Sequence, residues 1–577
     1  MNCKAIHKHH YPKKLVASQI GIVLCVISLA VSQQAMSDKL PVLLNHIYPS
    51  NVHSSIKFDA PILASPLLDL TPSKPQLIIP VTDGIVSFLD AETGSNNGQV
   101  TLPASPGLRI LIMSTPVQID RNLIVLYQTL GKKGRESHRL AVIDLATRQL
   151  NSAFSILELN AELPQADGKS VVKFNPAHAF SHSTVVYAHK AESKSGFLYA
   201  AFGNAADIQP FHGWLFEIDL DAWKQNGTKA AVKSVLVTTP ESQCKVSAKY
   251  GTREMICAGG IWTPAGPQVL YQKDDYALLV PTGNGQVNLA RHDYANSLMR
   301  VKPGLQFDPQ CNREFCKSFN PAKPSLACIE SCKNLFIPRL KAGDKPLRPG
   351  TGDCDQRTFW ECLAWMDYDL GANAPVIVNI SAQQSVIVQA GKDGAAYLLD
   401  ANHLGTMYDR IQLVDTCGTK LDPCKLDWRG MMVTQPAVSM LGQIPVVIFP
   451  TFVSDETHAA GLIAVQILVQ DGKPYFKPFW QFPDPESPNA TKTFRSPPGL
   501  PVMTHLSKHG DVIWIVDIGK TGTLYGVRID DGKLIARTSL VGTGVPLSRP
   551  IAFGNRLYMT SSQSGKKQSW VESIQYQ

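Results

Sequence analysis

The chain has 577 residues, of which 44% are hydrophobic and 18% are charged, and its formal net charge is +8 at pH 7. This composition is typical of a globular protein, because a disordered chain carries less apolar surface and more charge. One long apolar stretch is too few for a multi-span membrane protein, and basic residues do not cluster with aromatic ones, which disfavours nucleic-acid binding.

The N-terminus has the pattern of a secretory signal peptide. Residues 1–14 hold four lysines and no acidic residue, an apolar stretch follows at 15–31, and Ala30 and Ser32 are small residues suited to cleavage on export. We therefore predict a signal peptide over residues 1–32 and a periplasmic or secreted mature chain over 33–577. An uncleaved anchor helix is the alternative, although the stretch is short for a membrane span. Cleavage removes four basic residues and no acidic one, which leaves a net charge of +4.

Ten cysteines remain after residue 32, and an even number in an exported chain indicates disulfide bonds. Two pairs flank short loops and can close locally, namely Cys244 with Cys257 and Cys417 with Cys424. The other six allow no unique pairing from sequence: Cys311, Cys316, Cys328, Cys332, Cys354 and Cys362. Zinc binding is the alternative for the C-x4-C spacing of Cys311 and Cys316 and the C-x3-C spacing of Cys328 and Cys332, but this spacing matches no standard zinc finger.

A short module recurs along the mature chain: an apolar strand, a turn with glycine, a second apolar strand and a closing polar turn. Clear copies lie at 81–94, 138–150, 213–227, 391–405 and 519–532, and weaker copies at 294–304 and 461–472. The second strand of the clear copies closes on an Asp that can accept hydrogen bonds from the turn: Asp90, Asp144, Asp219, Asp400 and Asp530. The repeat predicts an all-β fold, a seven- or eight-bladed β-propeller of four-stranded blades, rather than a pair of β-sandwiches.

Residues 305–365 break this repeat. They contain six cysteines, several prolines and lysines, and little periodic apolar content. We predict a disulfide-rich insertion on one face of the ring, ordered by its bridges rather than by a core of its own.

Several segments carry a family resemblance. The residues concerned are 196–223, 257–267, VPTGNG at 280–285, DYDLGANAPVIV at 367–378, 389–405 and RSPPGLPVM at 495–503. With the repeat, they make the chain resemble the quinoprotein alcohol dehydrogenase-like propellers that carry the pyrroloquinoline-quinone (PQQ) repeat, and especially uncharacterised secreted members. The resemblance implies a propeller and export.

The resemblance also implies candidate site residues, because catalytic members bind PQQ and Ca²⁺ in the central funnel. Asn284 matches the Asn whose side-chain oxygen binds Ca²⁺, and Asp400 stands where the dehydrogenases place their catalytic base. Arg291 and Lys392 are candidate partners of an anionic cofactor, and Trp262 is a candidate aromatic floor.

Each assignment has a structural alternative. Asn284 lies between two glycines, where its tolerance of a positive φ is sufficient reason for it. Asp400 and Lys392 recur in other copies of the module, which favours a role in turns. Arg291 suits an exposed rim, and Trp262 suits the core. The chain also lacks the adjacent cysteine pair against which the dehydrogenases stack their cofactor.

The sequence therefore favours an exported propeller that acts as a binding or scaffold protein, without a cofactor or redox chemistry of its own. Its expected partner is a protein or small ligand on a propeller face, since loops on a rigid scaffold carry most recognition. The alternative is a PQQ- and Ca²⁺-dependent dehydrogenase of alcohols or sugars that uses an external electron acceptor.

His178 and His182 have the spacing of metal ligands on one face of a helix. They lie in a β-rich context, where that spacing does not place them on one face, which disfavours a metal site.

Overall fold

The computed structural model forms a ring of eight antiparallel blades. It describes residues 46–47, 53–132, 134–193, 195–203, 211–242, 258–345, 347, 354, 356–414, 434–455, 457–487, 493–519, 521–563 and 567–576. The predicted signal peptide and the predicted pairs Cys244–Cys257 and Cys417–Cys424 lie outside the described residues.

The first four blades follow one another along the chain. Blade 1 contains Leu67–Asp69, Gln76–Pro80, Ile85–Asp90 and Asn96–Thr101; blade 2 contains Arg109–Leu111, Val117–Ile119, Asn122–Gly131, Gly134–Asp144, Gln149–Leu150 and Leu157–Glu158; blade 3 contains Val186–His189, Gly196–Phe202, Trp214–Asp219 and Val232–Val237; blade 4 contains Gln268–Tyr271, Tyr276–Pro281, Leu298–Val301 and Leu335–Phe336.

The last four blades complete the ring. Blade 5 contains Val376–Asn379, Ser385–Ala390, Ala395–Asp400 and Met407–Gln412; blade 6 contains Ala437–Leu441, Ile444–Pro450, Leu462–Gln470 and Lys473–Phe482; blade 7 contains Val502–Leu506, Gly510–Asp517, Thr523–Arg528 and Leu534–Ser539; blade 8 contains His46–Ile47, His53–Phe58, Thr543–Gly544, Ile551–Phe553, Arg556–Ser562 and Ser569–Gln575.

Other elements lie in the connections. Two small ribbons pair Glu162–Pro164 with Val171–Lys173 and Val287–Asn288 with Asp293–Tyr294. The described helices are Leu220–Asn226, Thr228–Ala231, Arg313–Cys316, Leu326–Glu330, Phe359–Met366 and the 3₁₀ turn Leu289–Arg291. Within the described part of the chain, no helix has the length and apolar character needed to cross a bilayer.

The blade count follows from how the ring closes. Each of the seven predicted copies of the module covers all or most of one strand in blades 1 to 7: Gly134–Asp144 in blade 2 and the third strand in each of the others. Blade 8 has no copy, because its outer strand is the N-terminal His53–Phe58, which pairs with the C-terminal Ser569–Gln575. His53 Nε2 lies 2.5 Å from Oε2 of the fully buried Glu572 at this closure.

The core is divided among the blade interfaces. Eight apolar clusters each draw on two neighbouring blades, and together they cover all eight interfaces of the ring. The second and third strands supply most of these side chains, which explains why those strands read as continuous apolar runs. A closed ring leaves no blade without a neighbour on either side.

The closing Asp residues of the repeat act in turns, as predicted, at Asp90, Asp144, Asp219 and Asp400. The Oδ1 atom of each accepts one or two backbone N–H groups at 2.7–3.2 Å. The prediction is wrong for Asp530, because the next residue, Asp531, accepts the turn N–H, from Lys533 at 3.1 Å.

The Cys-rich segment 305–365 belongs to two connections. Residues 302–334 join the third and fourth strands of blade 4, and residues 337–375 join blade 4 to blade 5. Its disulfides are Cys311–Cys332, Cys316–Cys328 and Cys354–Cys362, which leaves these six sulfurs no role as zinc thiolates. The segment is tied to blade 5 by Arg410, whose Nη1 lies 2.9 Å from Oδ2 of Asp344.

Candidate functional site

The candidate site lies on one face of the ring, which is formed by the same edge of each blade. In an antiparallel meander, the connection between the second and third strands emerges at the same edge as the connections between blades. We call this edge of the ring the upper face. Five residues, from the connection between blades 3 and 4 to a turn of blade 5, lie together there and are called the polar cluster: Trp262, Asn284, Asp367, Asp369 and Lys392.

Asp369 is the centre of the polar cluster and is only 2% exposed. Its Oδ2 accepts hydrogen bonds from the backbone N–H of Asn284 at 3.1 Å and from Nε1 of Trp262 at 3.4 Å. Lys392 Nζ lies 2.9 Å from Oδ2 of Asp367 and 3.8 Å from Oδ2 of Asp369. The same ammonium lies 5.0 Å from the centroid of the Trp262 ring, within the range of a cation–π contact.

Two glycines let the loops approach closely enough to form the cluster. A Cβ atom on Gly371 would lie 2.7 Å from the backbone nitrogen of Gly283, so a larger residue does not fit. Gly371 lies two residues after Asp369, and Gly283 directly precedes Asn284. The close contact of these two backbones therefore sets Asp369 beside Asn284.

Two oxygen atoms of the cluster have no donor. Oδ1 of Asn284 and Oδ1 of Asp369 are buried, and neither finds a hydrogen-bond partner among the described residues. A buried acceptor without a donor costs free energy. A bound cation, or a donor on a ligand, removes that cost, and Ca²⁺ in particular is bound through such oxygens.

Burial shapes the protonation of the groups here. It raises the pKa of Asp369, and the positive charge of Lys392 opposes the rise. His182 packs its ring edge against Trp262 at 5.9 Å between centroids. Burial lowers the pKa of His182 to about 4, so this ring is neutral at neutral pH.

Three of the residues predicted from sequence meet in the cluster: Trp262, Asn284 and Lys392. The alternative explanation of Asn284 by a positive φ is wrong, because it is Gly285 that has the positive φ, of 130°. The side chain of Lys392 forms ion pairs with two buried carboxylates, beyond what a residue kept for its turn requires. Their roles in binding remain predictions.

Two other predicted residues lie elsewhere. Asp400 ends the third strand of blade 5, at the opposite edge from the polar cluster, and Oδ2 of its carboxylate accepts the Tyr408 hydroxyl at 2.5 Å. Arg291 lies exposed on the upper face, where its guanidinium donates to the carbonyl of Glu241 and has its Nε 3.8 Å from Oδ2 of Asp293. The structure therefore does not bring either of them into the cluster.

Asp367 and Asp369 were missed as site residues by the sequence reasoning, although DYDLG was noted for its resemblance. The signal that was present is two acids flanking one tyrosine within a largely apolar stretch, just before a glycine. Both acids are buried in the structure. Paired buried carboxylates are uncommon unless they are compensated by charge or by a metal.

Comparisons with known proteins show a similarity of fold but not of sequence. No protein-family model matches the chain, and no curated protein matches its sequence. A europium-containing methanol dehydrogenase is similar in structure, with a TM-score of 0.51 and 10% identity over 90% of this chain and 92% of that chain.

Two further solved structures have lower TM-scores. The quinohemoprotein alcohol dehydrogenase ADHIIG from Pseudomonas putida HK5 gives 0.49, at 10% identity over 91% of this chain and 75% of that one. BamB from Moraxella catarrhalis gives 0.43, at 13% identity over 93% and 100%. At this identity the similarity to the methanol dehydrogenase concerns the fold alone, and it agrees with the β-propeller expected from the sequence.

Proposed function

We propose that this chain is a cation- and PQQ-dependent dehydrogenase of alcohols or sugars, with the polar cluster as its centre. The observation that carries the proposal is a pair of buried oxygens near Lys392 and Trp262: among the residues that the structure describes, neither Oδ1 of Asn284 nor Oδ1 of Asp369 has a donor. This is the function that the sequence ranked second, and the convergence of these five residues favours it.

The donor set fits a hard cation. Asn284 and Asp369 present an amide and a carboxylate oxygen, which are ligands that Ca²⁺ takes. The methanol dehydrogenase of similar fold contains europium, and a trivalent ion of this hardness takes oxygen ligands too. Both kinds of ion are therefore candidates for the site.

The rest of the cluster fits a flat, anionic cofactor. Trp262 is half-buried and offers an indole ring for stacking, and Lys392 offers a positive charge for a carboxylate. PQQ held beside Trp262 and Lys392 would supply a two-electron acceptor, and a cation held by Asn284 and Asp369 would supply Lewis acidity.

The chain itself supplies the proton acceptor. Asp367 is 8% exposed and is more accessible than Asp369, so it is the carboxylate that takes the hydroxyl proton of the substrate. In the overall reaction the alcohol loses two electrons and two protons and becomes a carbonyl compound. The electrons finally pass to an external acceptor, which in an assay is an artificial dye.

The three disulfides of the described chain fit an oxidising compartment. We propose that the enzyme works in the periplasm or outside the cell, as the N-terminal sequence indicates.

The test uses the purified full-length chain with PQQ and either Ca²⁺ or Eu³⁺. We expect a perturbed quinone spectrum and dye reduction with alcohols or sugars in the wild type, and loss of both in Asp369→Asn and Asn284→Ala. Asp400→Asn is the matched control and retains both. An unchanged PQQ spectrum with either ion, at micromolar concentration, would overturn the proposal.

A binding function is the second candidate, and one observation favours it. Phe315 and Leu326 are 54% and 53% exposed, on two short helices joined by the Cys316–Cys328 disulfide. Exposed apolar side chains on a rigid segment suit a protein partner. Native mass spectrometry of material from its own host tests this: a partner retained by the wild type and lost in Phe315→Ser with Leu326→Ser supports it, and an unchanged complex contradicts it.

A further inference from the structure

Asn296 connects the two loops that carry the unpaired oxygens. Its side-chain Oδ1 accepts the backbone N–H of Leu370 at 3.2 Å, and its Nδ2 donates to the carbonyl of Tyr368 at 3.4 Å. These two bonds hold the residues on either side of Asp369. The backbone N–H of Asn296 donates to the carbonyl of Gly283 at 2.8 Å, directly before Asn284.

The residue type at position 296 suits this bridge. A carboxamide offers a donor and an acceptor on one short side chain, which the bonds to Tyr368 and Leu370 both use. Asn296 also has a φ of 46°, a left-handed conformation that Asn adopts more readily than most residues. The side chain is buried, so water does not compete for these bonds.

We propose that Asn296 is a positioning residue that holds Asn284 and Asp369 at the separation required for binding a cation. The inference rests on the proposed function, since it concerns the same site. Asn296 contacts the backbone on both sides of Asp369, at Tyr368 and Leu370. It also contacts the backbone of Gly283, directly before Asn284. Partners that orient metal ligands in this way typically change metal affinity by about 10–100-fold when they are removed.

The experiment measures Tb³⁺ binding to the full-length chain by luminescence sensitised through Trp262, whose Nε1 lies 3.4 Å from Asp369 Oδ2. Asn296→Gly removes both side-chain bonds and keeps the left-handed backbone available. We expect its Tb³⁺ affinity to fall by about 10–100-fold, with the circular dichroism spectrum of the wild type retained.

His292→Gly is the matched control. His292 has a φ of 56°, belongs to the same connection and is exposed, so this variant loosens the loop backbone equally without touching residues 367–371. We expect wild-type affinity for it. Asn296→Asp is the second variant in case the Gly variant does not fold: it keeps an acceptor for Leu370 but no donor for Tyr368, and its affinity should also fall.

The outcomes separate the two proposals. If the wild type binds neither Tb³⁺ nor competing Ca²⁺, the proposed function is wrong. If the wild type binds Tb³⁺ and the Asn296 variants bind it equally well, Asn296 does not position the site and this inference is overturned. Equal losses in Asn296→Gly and His292→Gly also overturn it, because loop loosening then explains the effect.

Discussion

The carboxylate of Asp369 accepts the backbone N–H of Asn284 at 3.1 Å, although 85 residues separate them in the chain. The bond joins the connection between blades 4 and 5 to a turn of blade 4. It engages Oδ2 of Asp369 and a backbone atom of Asn284, and the Oδ1 atoms of both side chains have no hydrogen-bond partner within the described part of the chain. The fold thus brings two loops together, each with a buried acceptor that has no donor among the described residues.

Replacing Gly371 by alanine should push the two loops apart. The added Cβ would lie 2.7 Å from the Gly283 nitrogen, and backbone atoms cannot turn aside as a side chain does. We expect the free energy of unfolding to fall by about 1–3 kcal/mol, as for other overpacked sites, and Tb³⁺ affinity to fall with it. Urea unfolding and Tb³⁺ titration measure both.

Gly131→Ala is the control for that variant, because its Cβ would meet the flexible end of Glu136. A Gly371→Ala protein as stable as this control would show that the close backbone contact is not needed.

Replacing Lys392 by methionine should destabilise the fold in a pH-dependent way. Burial raises the pKa of Asp369, and the positive charge of Lys392 opposes this rise. Removal of that charge therefore raises the folded-state pKa of Asp369 further above its unfolded value. A raised carboxyl pKa stabilises the fold at low pH, and that contribution disappears as pH rises through the folded-state pKa. We expect a loss of about 3–5 kcal/mol at neutral pH and a smaller loss at acidic pH, where Asp369 is protonated.

Urea unfolding at both pH values measures the Lys392 effect. Lys341→Met is the control, because Lys341 forms a half-exposed pair with Asp409 at 2.7 Å and should cost about 0–1 kcal/mol at either pH. A Lys392→Met loss that is independent of pH would contradict the assigned charge interaction.

Replacing Asp400 by alanine should affect stability and leave the site intact. Its Oδ1 accepts the backbone N–H groups of Asn402 and His403 at 2.7 and 3.2 Å. Loss of these bonds should cost about 1–3 kcal/mol, read from the urea midpoint. Tb³⁺ affinity and dye reduction per folded molecule should equal those of the wild type; a large loss of activity would instead support Asp400 as the catalytic base.

The Cys354–Cys362 disulfide should support Asp367. It staples the helix Phe359–Met366, which ends directly at Asp367, where φ is 60°. Replacing both cysteines by serine should cost about 2–3 kcal/mol and weaken Tb³⁺ binding. The matched double variant of Cys316 and Cys328 should lose similar stability with a smaller loss of affinity, because the loop of that bridge meets the helix at its other end, where Thr358 Oγ1 donates to the carbonyl of Ala322 at 2.5 Å. Equal Tb³⁺ affinities in the two double variants would count against this role.

Much of the fold could be predicted from local pattern. Seven copies of the module mark one strand in each of seven blades, because each blade needs the same apolar strand and the same turn. The Asp90 and Asp400 turns repeat for the same reason, and this repetition correctly argued for a structural role of Asp400. No copy of the module marked blade 8, because its strands come from both ends of the chain. A local sequence pattern does not indicate a pairing between such distant strands.

The site was only partly predictable. Asn284 and Lys392 stand in short motifs that could be matched individually, whereas Asp367 and Asp369 looked like ordinary acids in a connection. Arg291 lies only seven residues after Asn284, but the 3₁₀ turn Leu289–Arg291 leads it away to Glu241 and Asp293. Closeness in sequence therefore did not indicate closeness in the site.

The amino-acid sequence alone determined that this protein is an all-β propeller with a cysteine-rich segment, because strand periodicity, turn residues and cysteine content are local properties. The tertiary structure alone decided that there are eight blades, how the six clustered cysteines pair, and that Trp262, Asn284, Asp367, Asp369 and Lys392 share one site. These depend on contacts between residues far apart in the chain, which exist only once the ring closes and glycines 283 and 371 bring two backbones into contact.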